Sequence, residues 1–170
     1  MDALQLPFLV VLPALVIVGG LKDLTTMKIP NWISVALIVA FFPAALLLGL
    51  APGAIGMHAG VAALALLIGM GLFAAGLLGG GDVKLMASAC LWLGPAGSGA
   101  FLLWTAAIGG LFCLALLAGR AWLQPRVASG TGWFARLMTP KGDIPYGVAI
   151  AAGALAAWPA SPLMAAFLAG

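Results

Sequence analysis

The chain has 170 residues and a formal charge of +3, with 65% hydrophobic and only 6% charged residues. A soluble domain carries roughly a quarter charged residues, so these few charges cannot cover a water-facing surface and lipid must be the main solvent. About six spans of about 20 residues with short loops use nearly the whole chain, which leaves no room for a soluble domain and predicts one transmembrane domain over residues 1–170.

Apolar runs fall at about 4–21, 32–50, 59–78, 83–97, 100–119 and 145–168, separated by Gly, Pro or charge. Backbone groups in hydrocarbon must be satisfied within the segment. The expected fold is therefore an all-α membrane protein, a bundle of about six transmembrane helices. The first run has no basic residue before Lys22. A secretory signal peptide wants positive charge ahead of its apolar core, so the run is read as a retained helix. After it come Asp23 and the segment Leu24–Asn31, where Pro30 and Asn31 open the second helix. The fourth run is short, so it is either tilted or packed mostly against protein. It follows Gly79-Gly80-Gly81-Asp82-Val83-Lys84. The longest polar stretch, 120–144, mixes Trp122, Trp133 and Phe134 with arginines. It reads either as a segment lying on the inner surface or as a plain connecting loop.

Charge fixes the orientation. With the N-terminus outside and six alternating crossings, the loops at 22–31, 79–84 and 120–144 face the cytoplasm and hold all seven basic residues. Both termini then lie on the outer, periplasmic side. The positive charge is explained by topology, and its scatter gives no nucleic-acid footprint. Cys90 and Cys113 sit in apolar runs without CxxC spacing and read as small packing residues. One histidine and no glutamate argue against a structural metal site, and no cofactor is indicated.

Four carboxylates remain to carry chemistry. Asp2 is read as solvated. Asp143, ahead of Ile144-Pro145, suits an N-cap of the last helix. Asp82 also precedes a helix, but three glycines before it allow close backbone approach and place the carboxylate at the mouth of the bundle. Asp23 ends the first helix, where the macrodipole disfavours negative charge. It is either a solvated loop charge or a functional group. Metalloprotease chemistry lacks its HExxH motif. Ser–His catalysis would need His58, on the opposite face. Ser88 lies one turn after Lys84, yet a turn inside the bundle without an evident oxyanion donor. Two aspartates are left, able to activate water as a general acid–base pair. Helix-end polarity assigns Asp82 as base and Asp23 as acid.

Three segments carry a family resemblance: Asp23 with Ile29-Pro30-Asn31; Gly79-Gly80-Gly81-Asp82-Val83-Lys84, which fits Gly-x-Gly-Asp-x-Lys; and Ile144-Pro145-Tyr146-Gly147-Val148-Ala149-Ile150. In order, spacing and membrane side the chain resembles the bacterial type IV prepilin peptidases, and most the short members serving tight-adherence (Flp) pili. The resemblance implies an aspartic endopeptidase of the inner membrane. Its partners would be prepilins and pseudopilins, the bilayer and the pilus assembly machinery. It implies that the catalytic pair falls on Asp23 and Asp82, with Gly79 and Gly81 shaping the second turn. Lys84 would orient a carboxylate, contact substrate or anchor the interface. The leader in such substrates is typically basic and cut after a glycine, ahead of an apolar helix. The presenilin-like relatives' Pro-Ala-Leu motif is replaced here by Pro145-Tyr146-Gly147. The insertion and paired cysteines of the longer, methylating members are absent, so peptidase activity without methylation is expected. A small transporter or proton pathway, and a non-catalytic secretion scaffold, are the competing classes. A transporter would want polar residues at mid-membrane depth, where this sequence has almost none.

Overall fold

The fold was read from a computed structural model, which describes residues 6–127, 132–140 and 142–169. All regular elements among them are helical: α1 (Leu6–Thr26), α2 (Asn31–Leu47), α3 (Pro52–Ala74), α4 (Gly80–Val127), α5 (Trp133–Leu137), α6 (Gly147–Ala157), a short 3-10 turn (Trp158–Ala160) and α7 (Pro162–Ala169). Four stretches among the described residues are long and apolar enough to cross a membrane: Leu6–Thr26, Pro52–Ala74, Gly80–Leu123 and Gly147–Leu168. The chain is a multi-pass membrane protein.

Several boundaries differ from those read in the sequence, each for a local reason. α1 continues one turn past Lys22, where Met27 ends it at φ 56 and donates its N–H to the Asp23 carbonyl at 2.8 Å. α3 starts earlier, at Pro52, which suits a first helical position because its missing N–H would be unpaired there anyway. The last run is interrupted at Trp158–Ala160. Pro159 and Pro162 cannot donate to the ladder, and the Ser161 hydroxyl accepts the Met164 N–H at 3.2 Å to restart the helix.

The runs expected at 83–97 and 100–119 form two limbs of α4 joined at Gly94, where φ 62 and ψ −172 break the helix. The chain turns back there. Ser98 Oγ donates to the carbonyls of both Gly94, at 2.7 Å, and Cys90, at 3.5 Å. In a straight helix residues 90 and 98 would be separated by about 12 Å along the axis.

The first limb, 80–93, is the core of the molecule. Val83, Leu85, Ala87 and every residue from Ser88 to Leu93 are buried, so this short helix packs mainly against protein. Around it Trp92 donates its indole N–H to the Leu37 carbonyl at 2.9 Å and meets Phe41 and Trp158 edge-on. α6 packs on α1 and on α4, and α2 on α1 and α4. α3 packs on α4 but buries only His58 and Gly69.

His58 explains the break. Its Nδ1 lies 2.8 Å from the Leu91 carbonyl oxygen, and its ring stacks on Phe41. The imidazole also lies directly where a Gly94 side chain would go. The dihedral pair at Gly94 belongs to a region open essentially to glycine alone. Gly94→Ala should therefore lower stability by about 1–3 kcal/mol and depress the melting temperature in detergent. Gly99→Ala, in the same helix with open space around it, should not.

Candidate active site

Asp23 lies in the last full turn of α1 and is only 7% exposed. Its Oδ2 accepts the Gly147 N–H at 2.7 Å. Gly147 opens α6, so the donor is one of the N–H groups that a helix N-terminus leaves unpaired. A carboxylate is the natural partner of that positive end. The approach needs two glycines. A Cβ on Gly147 would stand 2.8 Å from Asp23 Cβ and 3.0 Å from Ile29 Cδ1. A Cβ on Gly20, one turn earlier on α1, would stand 3.1 Å from Ala151 Cβ and from the Gly147 carbonyl oxygen.

Asp82 is the third residue of α4, inside its first turn and not ahead of it. Its Oδ2 reaches back to accept the Gly79 N–H at 3.3 Å, which is half of a capping box. The glycines are not equivalent. A Cβ on Gly79 would fall 2.8 Å from Asp82 Oδ2, and one on Gly81 would fall 3.1 Å from Ile29 Cβ. A Cβ on Gly80 would make only ordinary contact with Phe73, at 3.5 Å. The Gly-x-Gly-Asp pattern thus has a steric meaning at each position.

Asp23, Met27, Lys28, Ile29, Gly79, Gly80, Gly81 and Asp82 line one cleft of about 290 Å³. The two carboxylates thus face one shared space. Both accept backbone N–H groups at a helix N-terminus. Helix-end polarity, read from α1 and α4 alone, therefore does not separate acid from base, because α6 supplies Asp23 with the positive end that α1 lacks. Among the described residues no three His, Cys, Asp or Glu side chains converge as a metal-ligand set.

The remaining positions singled out in the sequence divide. Pro30 caps α2 in an extended conformation. Lys84 turns away from the cleft and donates to Asn31 Oδ1 at 3.0 Å. The Ser88 hydroxyl donates to the Lys84 carbonyl at 2.8 Å, an ordinary back-bond within a helix and not a Ser–Lys pairing. Pro145 is buried just ahead of Tyr146. Tyr146 packs over Gly109 and donates to the Thr105 carbonyl at 3.4 Å. Burial, then the Asp82 carboxylate and Cys113, push the Tyr146 phenol above its ordinary range. It stays a neutral donor to the Thr105 carbonyl. Asp143 does not cap the last helix: α6 begins four residues later with no side-chain cap, and Asp143 is exposed.

Sequence reasoning missed Arg120. It was read as one of the basic residues of an inner loop, yet it is only 7% exposed. Its guanidinium donates to three carbonyls: Leu137 at 2.9 Å, Gly142 at 2.9 Å and Asp143 at 2.8 Å. It thereby holds the strand of chain that delivers Tyr146 and Gly147 to Asp23. The one sequence signal was its place four residues after Leu116, which is buried on the same helix face.

The model of the type IV leader peptidase family matches residues 10–114, a stretch that contains Asp23 and Asp82. The chain belongs to the type IV leader peptidase family. No match was found among curated proteins or among solved structures. Membership makes the chain a membrane protease. The Ile144–Ile150 segment lies beyond the matched stretch of this leader peptidase, but its first helical residue holds Asp23 in place.

Gly147→Ala should push Asp23 off its backbone donor. With Asp23 in the reaction, proteolysis should fall about tenfold or more, because small misplacements of reacting groups are costly; with Asp23 outside it, the rate should follow stability alone. Cleavage rate and melting temperature measured together check this, with the rate falling more than stability explains.

Proposed function

We propose that this leader peptidase is an aspartic endopeptidase that removes the leader from type IV, Flp-type prepilins and pseudopilins at the cytoplasmic face of the inner membrane, for pilus assembly. Asp23 and Asp82 are its catalytic pair. The observation that carries the reading is their convergence on one cleft from helices 59 positions apart in sequence, each carboxylate seated on a backbone N–H. The whole chain acts as one transmembrane peptidase domain. The reversal at Gly94 supports six crossings with both termini outside, which puts both aspartates on the side that carries the basic residues.

In this reading one carboxyl is ionised and the other protonated. The ionised one takes a proton from a water held between them, and the water oxygen bonds to the scissile carbonyl carbon. The protonated one gives its proton to the carbonyl oxygen. The tetrahedral intermediate then collapses, the C–N bond breaks, and a proton passes to the leaving amine. The pair titrates as a unit, so acid and base roles belong to the pair and not to either residue. Gly79, Gly81 and Gly147 let the backbones close on the carboxylates, and Pro30, Asn31, Lys84, Pro145 and Tyr146 hold the turns around them. No cofactor is required.

Co-expression with a prepilin that carries a basic leader tests the reading by loss of the leader on a gel. Asp23→Asn and Asp82→Asn keep the shape of the side chain and remove its ionisation. Each should slow cleavage by about 10²-fold or more, whereas Ser88→Ala should cleave normally. Full processing by either Asn variant sinks the pair. The chain has no cysteine pairs of the methylating type, so the mature N-terminus made by the purified protein should be a free, unmethylated amine by mass spectrometry. A methylated product would refute this part.

A further inference from the structure

A second cavity, about 500 Å³ and almost wholly apolar, opens sideways between α2 and α3 with the first limb of α4 as its floor. Its walls are three helical stripes. α4 contributes Lys84, Ala87, Ser88 and Leu91. α3 contributes Ala59, Ala62, Ala63 and Leu66. Both sets follow the i, i+3, i+4, i+7 spacing of a helix face made for another helix. α2 presents Asn31, Ser34, Val35, Ile38 and Phe42, the same stripe extended by one turn. Three such faces around a shared space are a four-helix bundle that lacks its fourth member. The volume matches about one turn of a helix 10–12 Å across with a 5.4 Å pitch.

The chemistry of the walls favours a helix over lipid chains. Acyl chains fill space without regard to side-chain size, whereas helix association in membranes depends on small residues that let backbones approach. Small residues dominate the walls of α3 and α4. Val35, Ile38 and Phe42 remain exposed on α2.

Position decides whose helix it is. The Lys84–Asn31 hydrogen bond marks the inner end of the groove. Lys84 stands two residues after Asp82, and Asn31 two residues after Ile29, and both Asp82 and Ile29 line the catalytic cleft. A chain leaving the groove at that end needs only a few extended residues, at about 3.3 Å each, to reach the carboxylates. We infer that the α2–α3–α4 groove receives the apolar transmembrane helix of the substrate, lying directly after the scissile bond, so that the groove sets which peptide bond reaches Asp23 and Asp82. The inference rests on the leader-peptidase function proposed above and adds the element of the substrate that is recognised.

The test uses the full-length protein in membranes with a co-expressed prepilin whose basic leader precedes an apolar helix. A benzophenone amino acid is placed at Ile38 or Leu66 in the groove, or at Leu64 on the lipid side of α3, in an Asp23→Asn background that holds the substrate uncut. Adducts with the prepilin should form from Ile38 and Leu66 about tenfold more strongly than from Leu64, a preference worth about 1.4 kcal/mol. In the active protein, Ala62→Phe fills the groove and should slow cleavage about tenfold, while Leu64→Phe should not. Equal labelling from all three positions, no prepilin adduct, or adducts only between two copies of the peptidase would each overturn the inference while leaving the cleavage reaction standing. So would normal cleavage by Ala62→Phe. If the unmodified protein fails to cut the prepilin at all, the proposed function fails and the groove assignment falls with it.

Discussion

The bond from the Gly147 N–H to the Asp23 carboxylate joins residues 124 positions apart, and the rest of the site is placed by it. It can form only because α1 and α6 cross at Gly20 and Gly147, where neither helix carries a side chain. Pinning the end of α1 sets where Met27 reverses the chain, and so where Ile29 passes. Ile29 in turn lies against Gly81, which fixes the turn that carries Asp82. The acceptor side of this arrangement is stiff because its donor is stiff. Arg120 holds the carbonyls of Leu137, Gly142 and Asp143 on the approach to α6. Its fork of five donors suits that task in a way a lysine ammonium does not.

Lipid offers no hydrophobic drive to bring helices together, so close packing and hydrogen bonds must do it. The first limb of α4 shows how. Its small residues let neighbours approach, and Trp92 and His58 give polar links from side chains to carbonyls across helices. Those links lie at the end far from the carboxylates.

What could be read from the sequence follows from the range of each interaction. The aspartates were legible because a carboxylate is rare in so apolar a chain. Gly79 and Gly81 were legible because their constraint is local to the Asp82 turn. The apolar runs marked the helices, but not their ends: Pro52, Met27 and Ser161 act through single backbone groups that hydropathy does not see. Arg120 was misread because three carbonyls from a distant segment leave no trace in its own neighbourhood. Asp143 was misread as a cap because Pro145 resembles a helix start, whereas the helix waits for Gly147 to meet Asp23. Helix-end polarity does not distinguish the two acids for the same reason, since α6 also gives Asp23 a positive end.

The distribution of polar groups also bears on the competing idea of a proton or solute path. Such a path needs titratable or polar side chains in succession through the bundle. Asp82 and the Gly94 break beside His58 are 12 residues apart, about 18 Å along the helix. Between them the limb buries Leu85, Ala89, Leu91, Trp92 and Leu93, and its buried Ser88 hydroxyl is taken up by the Lys84 carbonyl. His58 itself is spoken for by the Leu91 carbonyl and the face of Phe41. Among the described residues the two carboxylates of the cleft thus gather at one end of the limb, away from His58. Under the proposed function, that geometry suits cutting a chain at the membrane surface.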